Sequence, residues 1–305
     1  SLVHNRDCEA FIDWFIEKAK EEGCETGFFL GDWHNHRASI NLQTLQFSVQ
    51  ALEKLSRAFD TFYFIPGNHD LYYRDKRDIH SVEWAKHLPN VTIINDWFVQ
   101  GDVVIAPWLV QDDYKKVQKL SGKYMFGHFE LPGYLMNAMV AMPDHGEVRK
   151  EDFGNFEHVF SGHFHHKSDD GQIYYVGTPG EMTWIDYNDP RGFHIFDLNT
   201  RELEFIQNPY RMFHKIRYDD GEQDFEFWKN FNFDAYKETY VKVIVINKQN
   251  PYLFDNMLDN LYKSGAADIS VVEDFTDMNS IIDDKDIIDQ AEDTMTILSK
   301  YIDNL

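Results

Sequence analysis

Four segments of this chain end the same way: a short apolar run, a glycine, then a side chain able to hold a metal ion. They are Gly31-Asp32, Gly67-Asn68-His69-Asp70, Gly127-His128 and Gly162-His163-Phe164-His165. Glycine allows a sharp backbone turn where strand gives way to loop. In open α/β sheets, such turns at the carboxyl ends of strands are where sites form. Four strand tips would then bring carboxylate, amide and imidazole groups to one place. Mixed oxygen and nitrogen donors suit manganese, iron or zinc rather than an all-oxygen calcium or magnesium cage.

Each residue taken singly has a plainer explanation. An Asp such as Asp32 after a strand is more often a helix cap or turn residue, and Gly-Asn is common in turns. His128 alone divides evenly between a ligand and a satisfied polar residue. His163 and His165, two apart on an extended segment, point the same way, which favours a metal. His158 and His166 read as supporting or surface residues. The order of all four segments together is what argues for chemistry.

The elements that must carry these tips are legible from periodicity. An amphipathic helix is expected over 6–22, with Phe11, Trp14, Phe15 and Ala19 at helical spacing, ended by Gly23. A strand at 26–30 delivers Asp32. A helix at 42–59 and a strand at 62–65 deliver Asn68 and His69. Further strands are expected at 91–95, 103–107, 124–126, 158–160, 173–176, 193–196 and 203–206, with a helix at 112–120. Strands alternating with helices argue for a layered α/β fold. Beyond Tyr210 the pattern changes to one long strand at 240–246, a helix at 252–262 and a strand at 269–272. An acidic stretch at 274–285 follows. A final helix at 286–305 has Ile287, Ile288, Ala291, Met295, Leu298 and Ile302 on one side.

Composition narrows the class. Hydrophobic residues are 43% of the 305 and aromatics 16%, enough for a sizeable core. No apolar run approaches the roughly 20 residues needed to span a bilayer, so no membrane association is expected. Two cysteines, Cys8 and Cys24, exclude a disulfide framework or a thiolate zinc site, and a reducing cytoplasm is the expected compartment. The net charge of −23 is a poor footprint for holding DNA unaided, because duplex binding rests on cations that neutralise phosphates. Bound metals or a basic partner would have to supply the positive potential.

The ordered set GD, GNHD, GH and GHxH resembles the calcineurin-like metallophosphoesterase superfamily. Within it, the nuclease subunit of the SbcC/SbcD-type double-strand-break repair complex, with its phage recombination-endonuclease relatives, is the nearer resemblance. Gly31-Asp32-Trp33-His34-Asn35-His36-Arg37 lacks the Asp-Arg-Gly that follows GD in protein Ser/Thr phosphatases. Asp70 stands where those phosphatases have Glu. Tyr175-Val176-Gly177-Thr178-Pro179 and Asn188-Asp189-Pro190-Arg191-Gly192-Phe193 look like the strand pair closing that subfamily's catalytic domain. The resemblance implies a four-layer sandwich, two mixed β-sheets flanked by helices, with a small α+β capping domain and a C-terminal helix. The expected divisions are 1–209 nuclease domain, 210–273 capping and DNA-recognition domain, 274–285 linker and 286–305 partner-binding helix.

It also implies roles. Asp32 would bridge two divalent ions, manganese being the expected metal. Asn68, His128 and His163 would complete one ion's ligands, and His165 would serve the other. His69 would be the catalytic, non-ligand histidine. Asp70 would orient a neighbouring group. His34, His36 and Arg37 would lie in a supporting position or contact the DNA phosphate. The family's Asp-x-His motif does not precede Asp32 here, and its strand is expected upstream of Ser1. The implied activity is exonucleolytic and endonucleolytic hydrolysis of DNA phosphodiesters in recombination, repair or replication. The implied partners are an SbcC-type coiled-coil ATPase and a second copy of the chain. A phosphomonoesterase or small-molecule phosphodiesterase on the same scaffold, and a non-catalytic scaffold subunit, are the alternatives.

Overall fold

The first helix, α1 (Leu2–Glu21), owes its length to a stripe of large apolar residues on one side: Phe11, Ile12 and Ala19 are buried, and Phe15 packs beside them. In the computed structural model, which describes residues 2–144 and 148–273, it lies against α2 (Leu42–Ala58). Asn41 caps α2, its side chain accepting the Gln43 N–H at 2.9 Å, and Leu52 and Leu55 face inward. Together the helices cover a sheet of three parallel strands in the order β1 (Thr26–Phe29), β2 (Thr61–Phe64), β3 (Val91–Ile93). Parallel strands need a long crossover, and the segment containing α2 supplies the one between β1 and β2. The linker expected at 274–285 and the docking helix expected at 286–305 lie outside the described residues.

A second sheet has six strands: β4 (Phe98–Gln100), β5 (Val103–Ile105), β6 (Gly122–Gly127), β7 (Phe156–Ser161), β8 (Ser168–Asp169) and β9 (Ile173–Tyr175). Their order is β4-β5-β6-β7-β9-β8, parallel in the middle with antiparallel strands at both edges. Aromatic rings join the two sheets and run on across the second. Phe28 stacks on Phe126 at 4.0 Å, Phe126 on Phe160 at 5.1 Å, and Phe160 on Tyr174 at 5.5 Å. The hairpin of β10 (Gly192–Phe196) and β11 (Leu203–Gln207) ties this sandwich to α1, because alternation sends neighbouring side chains to opposite faces. Phe193 meets Phe15 at 4.8 Å and Phe196 meets Phe160 at 5.0 Å.

The far side of the second sheet is covered by a cluster that includes Val104, Met125, Phe129, Phe153 and Val159. Here the expected helix at 112–120 is shorter. It is a single α-turn, α3 (Tyr114–Val117), preceded by a 3-10 turn at Gln111–Asp113. The architecture is the layered α/β sandwich expected.

After β11 the chain forms a separate parallel sheet, β12 (Phe213–Asp219), β13 (Tyr240–Asn247) and β14 (Asp268–Val272), with α4 (Phe225–Lys229) and α5 (Pro251–Lys263). Its core gathers Tyr218, Trp228, Val241, Val243, Met257 and Leu261. Strand β12 is absent from the sequence reading. His214, Lys215 and Arg217 interrupt its apolar residues and break the run that would have marked it.

Candidate metal centre

Strand β1 ends at Phe29, and the next turn is made by Gly31 at φ 102° and Asp32 at φ 64°. A left-handed aspartate is uncommon, and strain of this kind clusters at functional sites. The turn cannot be made with a bulkier residue before it. A Cβ on Gly31 would lie 2.2 Å from His128 Nδ1. A Cβ on Gly67, at the tip of β2, would lie 2.2 Å from Asp32 Oδ1. These two glycines let three strand ends close on one another. His163, after β7, also takes a positive φ of 84°.

Four of the expected ligands come together. His128 Nε2 lies 3.2 Å from Asp32 Oδ2 and 3.1 Å from Asn68 Oδ1. His163 Nδ1 lies 3.2 Å from both Asn68 Oδ1 and His128 Nε2. Among the described residues, Asp32, His128 and His163 form a group whose ligand atoms all lie within 4.8 Å of one another. The other ring nitrogen of His128 donates to the Leu30 carbonyl at 2.6 Å, which fixes the proton on Nδ1 and leaves the Nε2 lone pair facing the cluster. A carboxylate oxygen, an amide oxygen and two imidazole nitrogens then converge with few protons to share. A cation held at about 2.1 Å would space neighbouring ligand atoms by roughly 3.0–3.4 Å, so the residues fit a divalent metal.

Electrostatics reflects the same convergence. Burial alone would raise the Asp32 pKa, but the charge and hydrogen bond of His128, with His69 and His163 beyond it, hold it well below the usual carboxylate range. Burial lowers the His128 pKa, yet the Asp32 carboxylate outweighs it and keeps the imidazole above its ordinary value.

The remaining expected residues are distributed around this core. His69 is half-buried; its backbone N–H donates to Asp32 Oδ1 at 3.0 Å, and its ring Nδ1 donates to the Asn35 carbonyl at 3.0 Å. Asp70 is buried and ties two strand tips together. Its carboxylate accepts the N–H groups of Trp33 at 3.0 Å, His34 at 2.9 Å and Gly67 at 2.9 Å. Burial and the neighbouring Asp32 charge push its pKa up to about 6, against those three donors. Of the two roles open to His34, burial leaves support of the loop: the side chain is 3% exposed and its Nδ1 meets Ser81 Oγ at 2.7 Å. Arg37 Nε donates to the Asn68 carbonyl at 2.8 Å, and His36 is exposed. His165 stands outside the three-residue group; its Nδ1 is 3.7 Å from Asp186 Oδ1.

Several neighbours of the centre were not in the sequence reading. The Trp108 ring packs 5.6 Å from His128 and 5.8 Å from His163, and its Nε1 donates to the Arg74 carbonyl at 3.0 Å. Glu130 pairs with Arg74 at 2.9 Å and lies 4.0 Å from His163 Nε2. A position two residues after His128 was the available signal for Glu130. No pattern marks Trp108, which approaches the histidines from the loop that follows β5.

Residues 3–167 match the family model of the calcineurin-like phosphoesterases. The chain is also 29% identical over 298 residues to exonuclease subunit 1 of Enterobacteria phage T4, an alignment covering 94% of this chain and 83% of that protein.

Proposed function

This chain belongs to the calcineurin-like phosphoesterase family, hydrolases of phosphate esters, and from that premise we propose that it is a manganese-dependent nuclease that cleaves DNA phosphodiesters both exonucleolytically and endonucleolytically. The observation that carries the reading is the convergence of Asp32, Asn68, His128 and His163 at 3.1–3.2 Å on the tips of four strands. The similarity to a phage exonuclease subunit favours a nucleic-acid diester over a small phosphomonoester. Those four residues would hold one divalent ion, and Asp32 with His165 would serve a second. When bound, two such ions supply Lewis-acid polarisation of the phosphoryl oxygens and a hydroxide nucleophile near neutral pH.

The chain's own residues do the rest. The Asn35 carbonyl can only accept, so it keeps a proton on His69 Nδ1. Nε2 is left as the nitrogen that holds the mobile proton, and the same carbonyl stabilises the imidazolium. A half-buried imidazole with that anchoring suits proton delivery to the leaving alkoxide. Asp70 keeps the two tips in register, so that His69 and Asp32 stay joined.

Charge bears on the partner. A chain of net charge −23 needs added positive potential to hold a duplex, and an SbcC-type ATPase subunit would provide it. Within the chain, alternation places Lys215, Arg217 and Lys242 on the face of the β12-β13-β14 sheet opposite its core. Lys242 is buried over the Trp184 ring at 4.2 Å, while the exposed Lys215, 4.4 Å over Tyr187, and the exposed Arg217 give a basic and aromatic edge suited to a nucleic-acid backbone. The test is cleavage of end-labelled duplex and of nicked plasmid with manganese, for the wild type and His69→Ala. A loss of about 10²–10⁴-fold in kcat with manganese binding intact supports the assignment. Cleavage of a chromogenic small diester without any action on DNA would replace it with the small-substrate reading.

A further inference from the structure

The proposed function uses His165 as a ligand but leaves unexplained the groups packed around it. Asp186 is fully buried. Its Oδ2 accepts the N–H groups of Met182 at 2.8 Å and Thr183 at 2.9 Å, which fixes that oxygen in place. Its Oδ1 receives an Arg191 nitrogen at 2.8 Å and lies 3.7 Å from His165 Nδ1. Arg191 is itself only 4% exposed. Its other terminal nitrogen donates to the backbone carbonyl of His165 and, at 2.8 Å, to Thr178 Oγ1. The same guanidinium bonds Asp189 at 2.7 Å, whose carboxylate holds the ring of His166 at 3.0 Å. One buried cation and two carboxylates thus hold the backbone of His165 and the ring of His166, with the His165 ring facing Asp186.

A buried ion pair of this sort is weak support for stability, because desolvation offsets the attraction. What it does well is fix orientation. His165 Nδ1 is buried without a hydrogen bond, and the Asp186 oxygen at 3.7 Å stands about 0.5 Å beyond bonding distance. A carboxylate on one imidazole nitrogen keeps the proton there and leaves the other nitrogen's lone pair for a metal. We infer that Asp186, clamped by Arg191, is a positioning residue that holds His165 with its proton on Nδ1 and its Nε2 free to ligate. This rests on the ligand role proposed for His165, and the tests separate the two.

The first test needs no metal: long-range proton–nitrogen NMR of the full chain, with the His165 signals assigned by His165→Gln. The expected wild-type form is Nδ1–H. A wild type that carries the proton on Nε2 overturns the inference, whatever any variant does. In Asp186→Asn the amide oxygen stays on the Met182 and Thr183 N–H groups and the NH2 faces His165. The tautomer should then switch to Nε2–H, as an Asn in place of a histidine-orienting Asp does elsewhere. The second test is manganese titration by electron paramagnetic resonance. Asp186→Asn should weaken, by about 10–100-fold, the site that His165→Gln abolishes, and leave the other site unchanged. Unchanged tautomer and affinity in Asp186→Asn overturn the inference. If His165→Gln leaves manganese binding untouched while the tautomer still switches, the ligand role of His165 fails and its positioning by Asp186 stands.

Discussion

At the tips of β1, β2, β6 and β7 the chain crowds polar atoms together and twists its backbone to do so; in the sheet of β12, β13 and β14 it does neither. The tips hold a carboxylate, an amide and two imidazoles joined by contacts of 3.1–3.2 Å, with Asp32 and His163 both at positive φ. Each such residue costs on the order of 1–3 kcal/mol and persists only because its surroundings impose it. In the other sheet no strand residue has a positive φ, and Val241, Val243 and Val245 alternate cleanly into an apolar core. The difference separates stability from chemistry. The apolar clusters under both regions hold the fold, and the strand tips draw on that surplus to keep a strained, polar constellation in place.

The sharpest way to break this comparison is to relieve the crowding where it is tightest. In Gly67→Ala the new methyl would meet Asp32 Oδ1 at 2.2 Å and the Asp32 nitrogen at 2.4 Å, so the Asp32 turn must move. A displacement near 1 Å at a site of this kind costs about 10²-fold. Manganese affinity should fall by at least about 100-fold. Calorimetric titration checks it, and a variant that binds as tightly as wild type would show that the close approach is not needed.

The opposite change belongs in the second region. Trp228 is 2% exposed, stacks on Tyr218 at 5.5 Å and fills the core beside α4. Trp228→Ala should cost about 3–5 kcal/mol of stability while leaving manganese affinity at the strand tips unchanged. Denaturant unfolding read alongside the same titration decides it. A variant that loses metal binding in proportion to stability would mean that the two regions do not divide the labour.

The sequence shows these two kinds of region unequally. Asp32, Asn68, His128 and His163 could be picked out because each follows a glycine at a strand end, a pattern that sterics requires and composition leaves visible. The β-layers were legible for the same reason: runs such as Phe62 to Ile65 are apolar on both faces because both faces are covered. What stayed hidden acts across the fold. Arg191 and Asp186 sit in a loop of ordinary turn residues, and only the tertiary structure brings them to His165. His34, one loop from the site, was open to a supporting role or a phosphate contact, and Asp70 and Ser81 draw it inward. Strand β12 escaped because its second face carries Lys215 and Arg217, which read as loop charge.

Where the two regions meet, a pH-dependent coupling is expected. Asp7 on α1 faces Glu181, whose buried carboxylate accepts the N–H groups of Met212 and Phe213 at the start of β12. Burial, with the Glu181 charge behind it, pushes the Asp7 pKa up to about 6. A carboxyl whose pKa rises on folding favours the folded state below its unfolded value near 4, and that contribution is lost as pH rises through 6. Asp7→Asn should therefore be more stable than wild type at pH 8, by on the order of 2 kcal/mol, with the difference vanishing below about pH 4. Melting curves across pH 4–8 test it. Parallel curves for the two proteins would show that Asp7 is not held in this strained ionisation.

The smallest expected effect asks whether the two regions unfold together. Asn250 caps α5, its side chain accepting the Leu253 N–H at 3.2 Å, just as Asn41 caps α2 on the other side of the molecule. Each cap replaced by Ala should cost about 1 kcal/mol. If the chain unfolds as one cooperative unit, Asn250→Ala and Asn41→Ala shift a single transition by similar amounts. If the β12-β13-β14 sheet unfolds on its own, Asn250→Ala moves only the transition reported by Trp228, and Asn41→Ala leaves that transition where it was. The contacts between α1 and this sheet favour the first outcome. His4 packs 5.4 Å from Tyr240, and Arg6 pairs with Glu238, so the end of α1 is bound into the second region and its stability is shared with the first.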